Sequence, residues 1–265
     1  MVDHVEVDGL GIAFRHRGEG PPLVLLHGGF GFDGRQWDPQ LDQLSDEFTV
    51  VAWDSPGHGQ SSDAPEHFRL PDYADCLAGF IDALKLERPH IVGLSFGGGL
   101  ALQFHDRHPT VARTLILCGA YAGWAGSLPP EVVRERLDRV LRESELAPDQ
   151  WLPAYMPGMF HETAPPELLH HALSISTVHP VGLRVGLTGF AEADLRDVLP
   201  RVDVPTLLLW GEGDQRSSLS IAHEMHDRIP DSTLVVLPGA GHVSNLEAPA
   251  AFNDALRAFL HEHSA

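Results

Sequence analysis

The chain has 265 residues, 43% hydrophobic and 21% charged, a length that buries about three quarters of the unfolded surface. Its 26 glycines and 21 prolines stay below the roughly 25–30% share of low-complexity chains, which excludes disorder and collagen-like repeats. With 18 Lys and Arg against 37 Asp and Glu, the formal charge is −19; so acidic a surface repels phosphate backbones and anionic headgroups, and argues against nucleic acid and membrane partners.

Met1–Glu6 has no basic stretch leading into an apolar one, so no export leader is expected. Val2–Val7 and Ile12–Arg17 alternate around Asp8-Gly9 and predict an edge hairpin. Short apolar runs follow at Leu23–Leu26, Val50–Trp53, His90–Val92, Thr114–Leu117, Thr206–Trp210 and Leu234–Leu237. Helical stretches separate them at Tyr73–Leu84, Gly97–His108, Leu219–Ile229 and Ala250–His261. That alternation predicts an α/β chain whose mostly parallel sheet is flanked by helices on both faces. Residues 121–201 break it: amphipathic pieces such as Pro130–Glu143 and Pro166–Thr177 occur without a strand. They read as a helical cap inserted into a core formed by residues 1–120 and 202–265. No run approaches the ~18–20 apolar residues of a membrane span. Cys76 and Cys118 read as reduced, structural residues of a cytoplasmic protein.

Gly93-Leu94-Ser95-Phe96-Gly97 places G-x-S-x-G between a strand and a helix, where small neighbours allow a strained turn to expose a serine. A serine hydroxyl needs a base, and His242 stands in a glycine-rich loop just after the last strand. The base needs a carboxylate to hold its tautomer; Asp214, in Gly211-Glu212-Gly213-Asp214, is the first choice and Glu212 the competitor. The loop Cys118-Gly119-Ala120-Tyr121, one strand earlier, offers no carboxylate. The order serine, acid, histidine is that of a single architecture. Other polar clusters read as scaffold: Asp54 and Ser61 as turn residues, Asp106 and Asp194 as solvated, His223-Glu224-Met225-His226 as an exposed helix face lacking metal-ligand spacing.

On the segments Leu26-His27-Gly28-Gly29, Asp54–Ser61, the serine turn, Gly211–Asp214 and Gly241-His242, the chain resembles the α/β-hydrolase superfamily over nearly its whole length. The resemblance implies an α/β-hydrolase fold with Ser95 as nucleophile. It also implies an oxyanion hole formed by the Phe96 amide and that of Gly29 or Phe30, with no metal or organic cofactor. His27 and the side chains of Trp124, Trp151, Tyr155 and Met156 are expected around the substrate. The segment Gly239–Glu247 is similar to that of enol-lactonases and small-ester hydrolases, which implies a serine hydrolase cleaving a small-molecule carboxylic ester or lactone. Carbon–carbon bond hydrolysis, cofactor-free perhydrolysis and a non-enzymatic ligand receptor are the alternatives. Oligomeric state is left open.

Overall fold

The computed structural model describes residues 1–29, 31–155, 158–177 and 179–264, the side chains of Pro148, Asp149 and Ala154 aside. An antiparallel hairpin, β1 (Asp3–Val7) and β2 (Leu10–Arg17), opens the chain. It is followed by β3 (Pro22–Leu26), α1 (Asp38–Gln43), β4 (Thr49–Trp53), α2 (Leu70–Ala83), β5 (His90–Leu94), α3 (Phe96–Arg107) and β6 (Thr114–Cys118). Four helices come next: α4 (Pro130–Glu143), α5 (Pro148–Tyr155), α6 (Pro166–Ile175) and α7 (Pro180–Glu192). The chain then returns through β7 (Thr206–Gly211), α8 (Leu219–Arg228), β8 (Ser232–Leu237), α9 (Ser244–Glu247) and α10 (Pro249–Glu262).

The sheet runs β1-β2-β4-β3-β5-β6-β7-β8. β2 joins β4 antiparallel, and every pairing from β4 through β8 is parallel. Side-chain alternation explains the strand sequences. Val24 and Leu26 face one core while Leu23 and Leu25 face another, built with Trp37, Phe252 and Leu256. A strand covered on both faces is apolar throughout, and β5, β6 and β7 are buried at every position. The edge strands β1 and β8 are covered less completely, and exposed positions interrupt their burial.

Three helices differ instructively from expectation. α2 begins at Leu70 rather than Tyr73, because Pro71 fits the first turn and the Asp72 carboxylate accepts the Arg69 N–H at 2.7 Å. Within 121–201 the glycine-rich sequence of α7 has weak intrinsic helix propensity. It is helical through packing, burying Leu183, Val185, Leu187 and Phe190, and its Gly182 is required by a close approach, since a Cβ there would stand 1.8 Å from the Gly57 carbonyl oxygen. α6 stops at Ile175, since Ser176 is extended. Among the described residues, no helix is long and apolar enough to cross a membrane. Cys76 and Cys118 are free and buried.

β3 pairs with β4 on one side and β5 on the other, so the chain reverses its direction of travel across the sheet there. In open parallel sheets, the crevice at the carboxyl ends of such strands is where ligands bind. The loops after β3, β5, β6, β7 and β8 all lie at that edge.

Candidate active site

Ser95 follows β5 and precedes α3. Its backbone adopts φ 55° and ψ −109°, a conformation that costs a non-glycine residue about 1–3 kcal/mol. Close packing on both sides enforces it. A Cβ at Gly93 would lie 2.2 Å from the Gly97 carbonyl oxygen, and one at Gly97 would lie 2.3 Å from that of Leu26. The Ser95 amide donates to the Cys118 carbonyl at 2.9 Å, which ties the turn to β6. Ser95 is partly exposed within a run of buried residues, so the hydroxyl opens onto a cavity of about 210 Å³ that His242 also lines.

His242 and Asp214 meet beside this cavity. His242 Nδ1 lies 2.8 Å from Asp214 Oδ2, and both side chains are buried. The other carboxylate oxygen, Oδ1, accepts the backbone N–H groups of Arg216 and Ser217, each at 2.8 Å. Those two bonds hold the acid in one orientation. With Nδ1–H committed to Asp214, the free Nε2 is left as the proton acceptor. Glu212, the sequence competitor, is exposed and accepts from Gly239 N at 3.3 Å instead; the carboxylate that meets the imidazole is Asp214.

Gly29 and Phe96 both line the cavity. A Cβ at Gly29 would lie 3.6 Å from that of Phe96, so the loop after β3 and the start of α3 are adjacent. Phe96 is the first residue of α3, where backbone N–H groups have no intrahelical acceptor and the helix dipole favours negative charge. Phe30, the alternative second donor, lies outside the described residues, as does Met156.

The remaining expectations separate. Trp124 and Tyr155 line the cavity. Trp151 does not: it is buried and packs edge-on against Tyr155, ring centres 5.3 Å apart. His27 is likewise corrected from pocket wall to loop support. Its Nδ1 donates to the Gly28 carbonyl at 2.7 Å and its Nε2 accepts the Ser55 N–H at 3.0 Å. Burial lowers its pKa, which suits that neutral tautomer. Gln36 completes the support, its Oε1 accepting the Gly28 N–H at 2.8 Å. Asp54 binds the amides of Gly34 and Gln60, and the Ser61 hydroxyl donates to the Asp54 carbonyl; both act within the turn. Asp106 and Asp194 pair with Arg201 and Arg196. His223 and Glu224 are exposed, and among the described residues no group of three or more His, Cys, Asp or Glu is placed to hold a metal.

Sequence reasoning missed two features. Glu247 accepts the amides of Gly241 and His161 at 2.9 and 2.7 Å, joining the His242 loop to the chain beyond α5, and burial raises its pKa. Arg136, Arg139 and Arg216 line the cavity with Glu135 and Tyr121. The proximity of Arg216 to Asp214 in the sequence was the available signal for one of these arginines; for the others it was the i, i+4, i+7 spacing of Val132, Arg136 and Arg139, which puts them on one face of α4.

The sequence model of the alpha/beta hydrolase family matches residues 23–255, and the chain belongs to that family. It is similar to a thermophilic esterase from Thermogutta terrifontis, 31% identical with a TM-score of 0.90 over 99% of each chain. An enol-lactonase from Burkholderia xenovorans is 26% identical, with a TM-score of 0.87 over 98% of this chain and 100% of that one. The 3-oxoadipate enol-lactonase 2 of Acinetobacter baylyi is 29% identical over 247 residues, covering 90% of this chain and 88% of the relative.

Proposed function

We propose that the chain is a serine hydrolase that cleaves a small-molecule carboxylic ester or lactone through an acyl-enzyme. The observation that carries this reading is the buried 2.8 Å pair of His242 Nδ1 and Asp214 Oδ2 on the cavity that Ser95 enters. His242 Nε2 takes the Ser95 proton as Oγ attacks the acyl carbon, and the Phe96 amide, with one from the Gly29 loop, receives the developing oxyanion. His242 then protonates the leaving oxygen, and a water deprotonated by the same imidazole releases the acid. Asp214 stays ionised and stabilises the imidazolium.

Likeness to an esterase and two enol-lactonases favours ester and lactone substrates over the other reactions of the fold. Helices α4–α7 would then act as the cap, with Trp124 and Tyr155 shaping the acyl pocket. The test is hydrolysis of p-nitrophenyl butyrate and of a lactone panel by the wild-type and Ser95→Ala proteins. Turnover by the wild type alone supports the reading. Hydrolysis that survives in Ser95→Ala refutes it, and binding without turnover by the wild type would favour a receptor.

A further inference from the structure

Three arginines line the cavity, Arg136 and Arg139 on α4 and Arg216 just after Asp214, in a chain whose formal charge is −19. They are not equivalent. Arg139 Nε is 2.8 Å from Glu143 Oε1, and the exposed Glu135 at the cavity also acts on Arg139. Arg136 and Arg216 bond only to neutral oxygens among the described residues. Arg136 Nη1 donates to Tyr121 Oη at 3.1 Å and its Nη2 to the Arg216 carbonyl at 3.3 Å. Arg216 Nη2 donates to the Tyr155 carbonyl at 2.7 Å. Burial first, then the neighbouring Arg136, pushes the Arg216 pKa down: two like charges are held together, half-buried, with no ion pair to a carboxylate among the described residues. Aromatic faces offset part of that cost, with Arg136 6.0 and 5.8 Å from the ring centres of Tyr121 and Trp124 and Arg216 5.2 Å from that of Tyr155; an anion brought to the cavity would offset the rest, and paired guanidinium forks match a carboxylate geometrically.

We infer that Arg136 and Arg216 bind a carboxylate carried by the substrate apart from its scissile acyl group, so that the preferred substrates are esters or lactones of dicarboxylic acids. Tyr121 Oη bridges the Arg136 guanidinium and the Arg216 carbonyl, and the Arg216 amide holds Asp214. The anion site and the catalytic set thus share a loop. The inference rests on the serine-hydrolase reading for turnover, but binding at the arginines can be measured independently.

The experiment compares p-nitrophenyl hemisuccinate with its neutral isostere, p-nitrophenyl 4-methylpentanoate, in the wild-type, Arg136→Gln and Arg216→Gln proteins. The wild type is expected to favour the hemisuccinate in kcat/KM by about ten-fold or more, the scale of a charge-assisted hydrogen bond. Each variant is expected to lose most of that ratio through a raised KM for the hemisuccinate. A wild-type ratio near one, or a ratio unchanged in both variants, overturns the inference while leaving the hydrolase reading intact. Titration of the Ser95→Ala protein with succinate supplies the second arm: binding that disappears in Ser95→Ala/Arg216→Gln supports the arginine site even if neither ester is turned over, and absence of binding to Ser95→Ala overturns it.

Discussion

Asp214→Asn isolates what the acid does. The wild-type carboxylate accepts three hydrogen bonds, one from His242 Nδ1 and two from the amides of Arg216 and Ser217. An asparagine can keep its carbonyl oxygen on the two amides, which turns its NH2 toward His242. Nδ1 must then accept, the proton moves to Nε2, and the imidazole can no longer take the Ser95 proton. The expected loss is about 10⁴ in kcat, or about 5–6 kcal/mol at 1.36 kcal/mol per factor of ten. Stability should change little, since the amide bonds survive and the side chains are nearly isosteric. Asp214→Ala leaves both amides without their acceptor and should cost about 2–6 kcal/mol, at 1–3 kcal/mol for each unsatisfied group. Steady-state hydrolysis of p-nitrophenyl butyrate, with urea unfolding of each variant, separates the two effects. An Asp214→Asn enzyme within ten-fold of wild-type kcat would refute the tautomer argument.

Three further outcomes are expected. Ser95→Gly should be inactive yet more stable, because glycine relieves the strain at φ 55°; about 1 kcal/mol net raises Tm by roughly 2–4 °C, and a lowered Tm would contradict the strain assignment. Trp151→Leu should cost about 2–4 kcal/mol of stability while leaving relative kcat/KM across an ester panel unchanged, whereas Trp124→Leu, on the cavity wall, should shift that ranking; the opposite pattern would reverse their roles. Burial, with His27 beside it, pushes the His58 pKa down to about 3. The unfolded chain binds a proton below about pH 6.5 that the folded chain refuses, so this contribution to stability is lost as pH falls from 6.5 toward 3. Between pH 6.5 and 5 the loss is about 2 kcal/mol; His58→Gln should show a smaller loss in urea unfolding over that interval, and equal losses in both proteins would argue against a buried neutral His58.

Local chemistry made much of the core legible. The central strands are recognisable because both faces are covered and, past a polar first residue (His90, Thr114, Thr206), each runs through consecutive apolar positions. Ser95 is recognisable because Gly93 and Gly97 are required by backbone approaches below 2.5 Å. His242 and Asp214 are recognisable because each falls in a glycine-bearing loop directly after a strand. By contrast, α7 was obscured by glycines that close packing demands, Gly182 against Gly57 and Gly189 against the backbone of Arg69 and Leu70. Trp124, in the loop before α4, and Trp151, on α5, could not be told apart, since a buried aromatic side chain looks the same in sequence whether it faces a cavity or a neighbour.

The sequence by itself therefore determined the parallel sheet, its turns and the three residue types needed to activate a serine, because these depend on periodicity and on steric requirements a few residues long. Tertiary structure alone decided that Asp214 rather than Glu212 meets His242, that His27 ties the loop after β3 to Ser55, and that arginines from α4 and from the loop after β7 converge on one cavity. Each of those depends on where side chains distant in the chain finally point, and local patterning does not encode such directions.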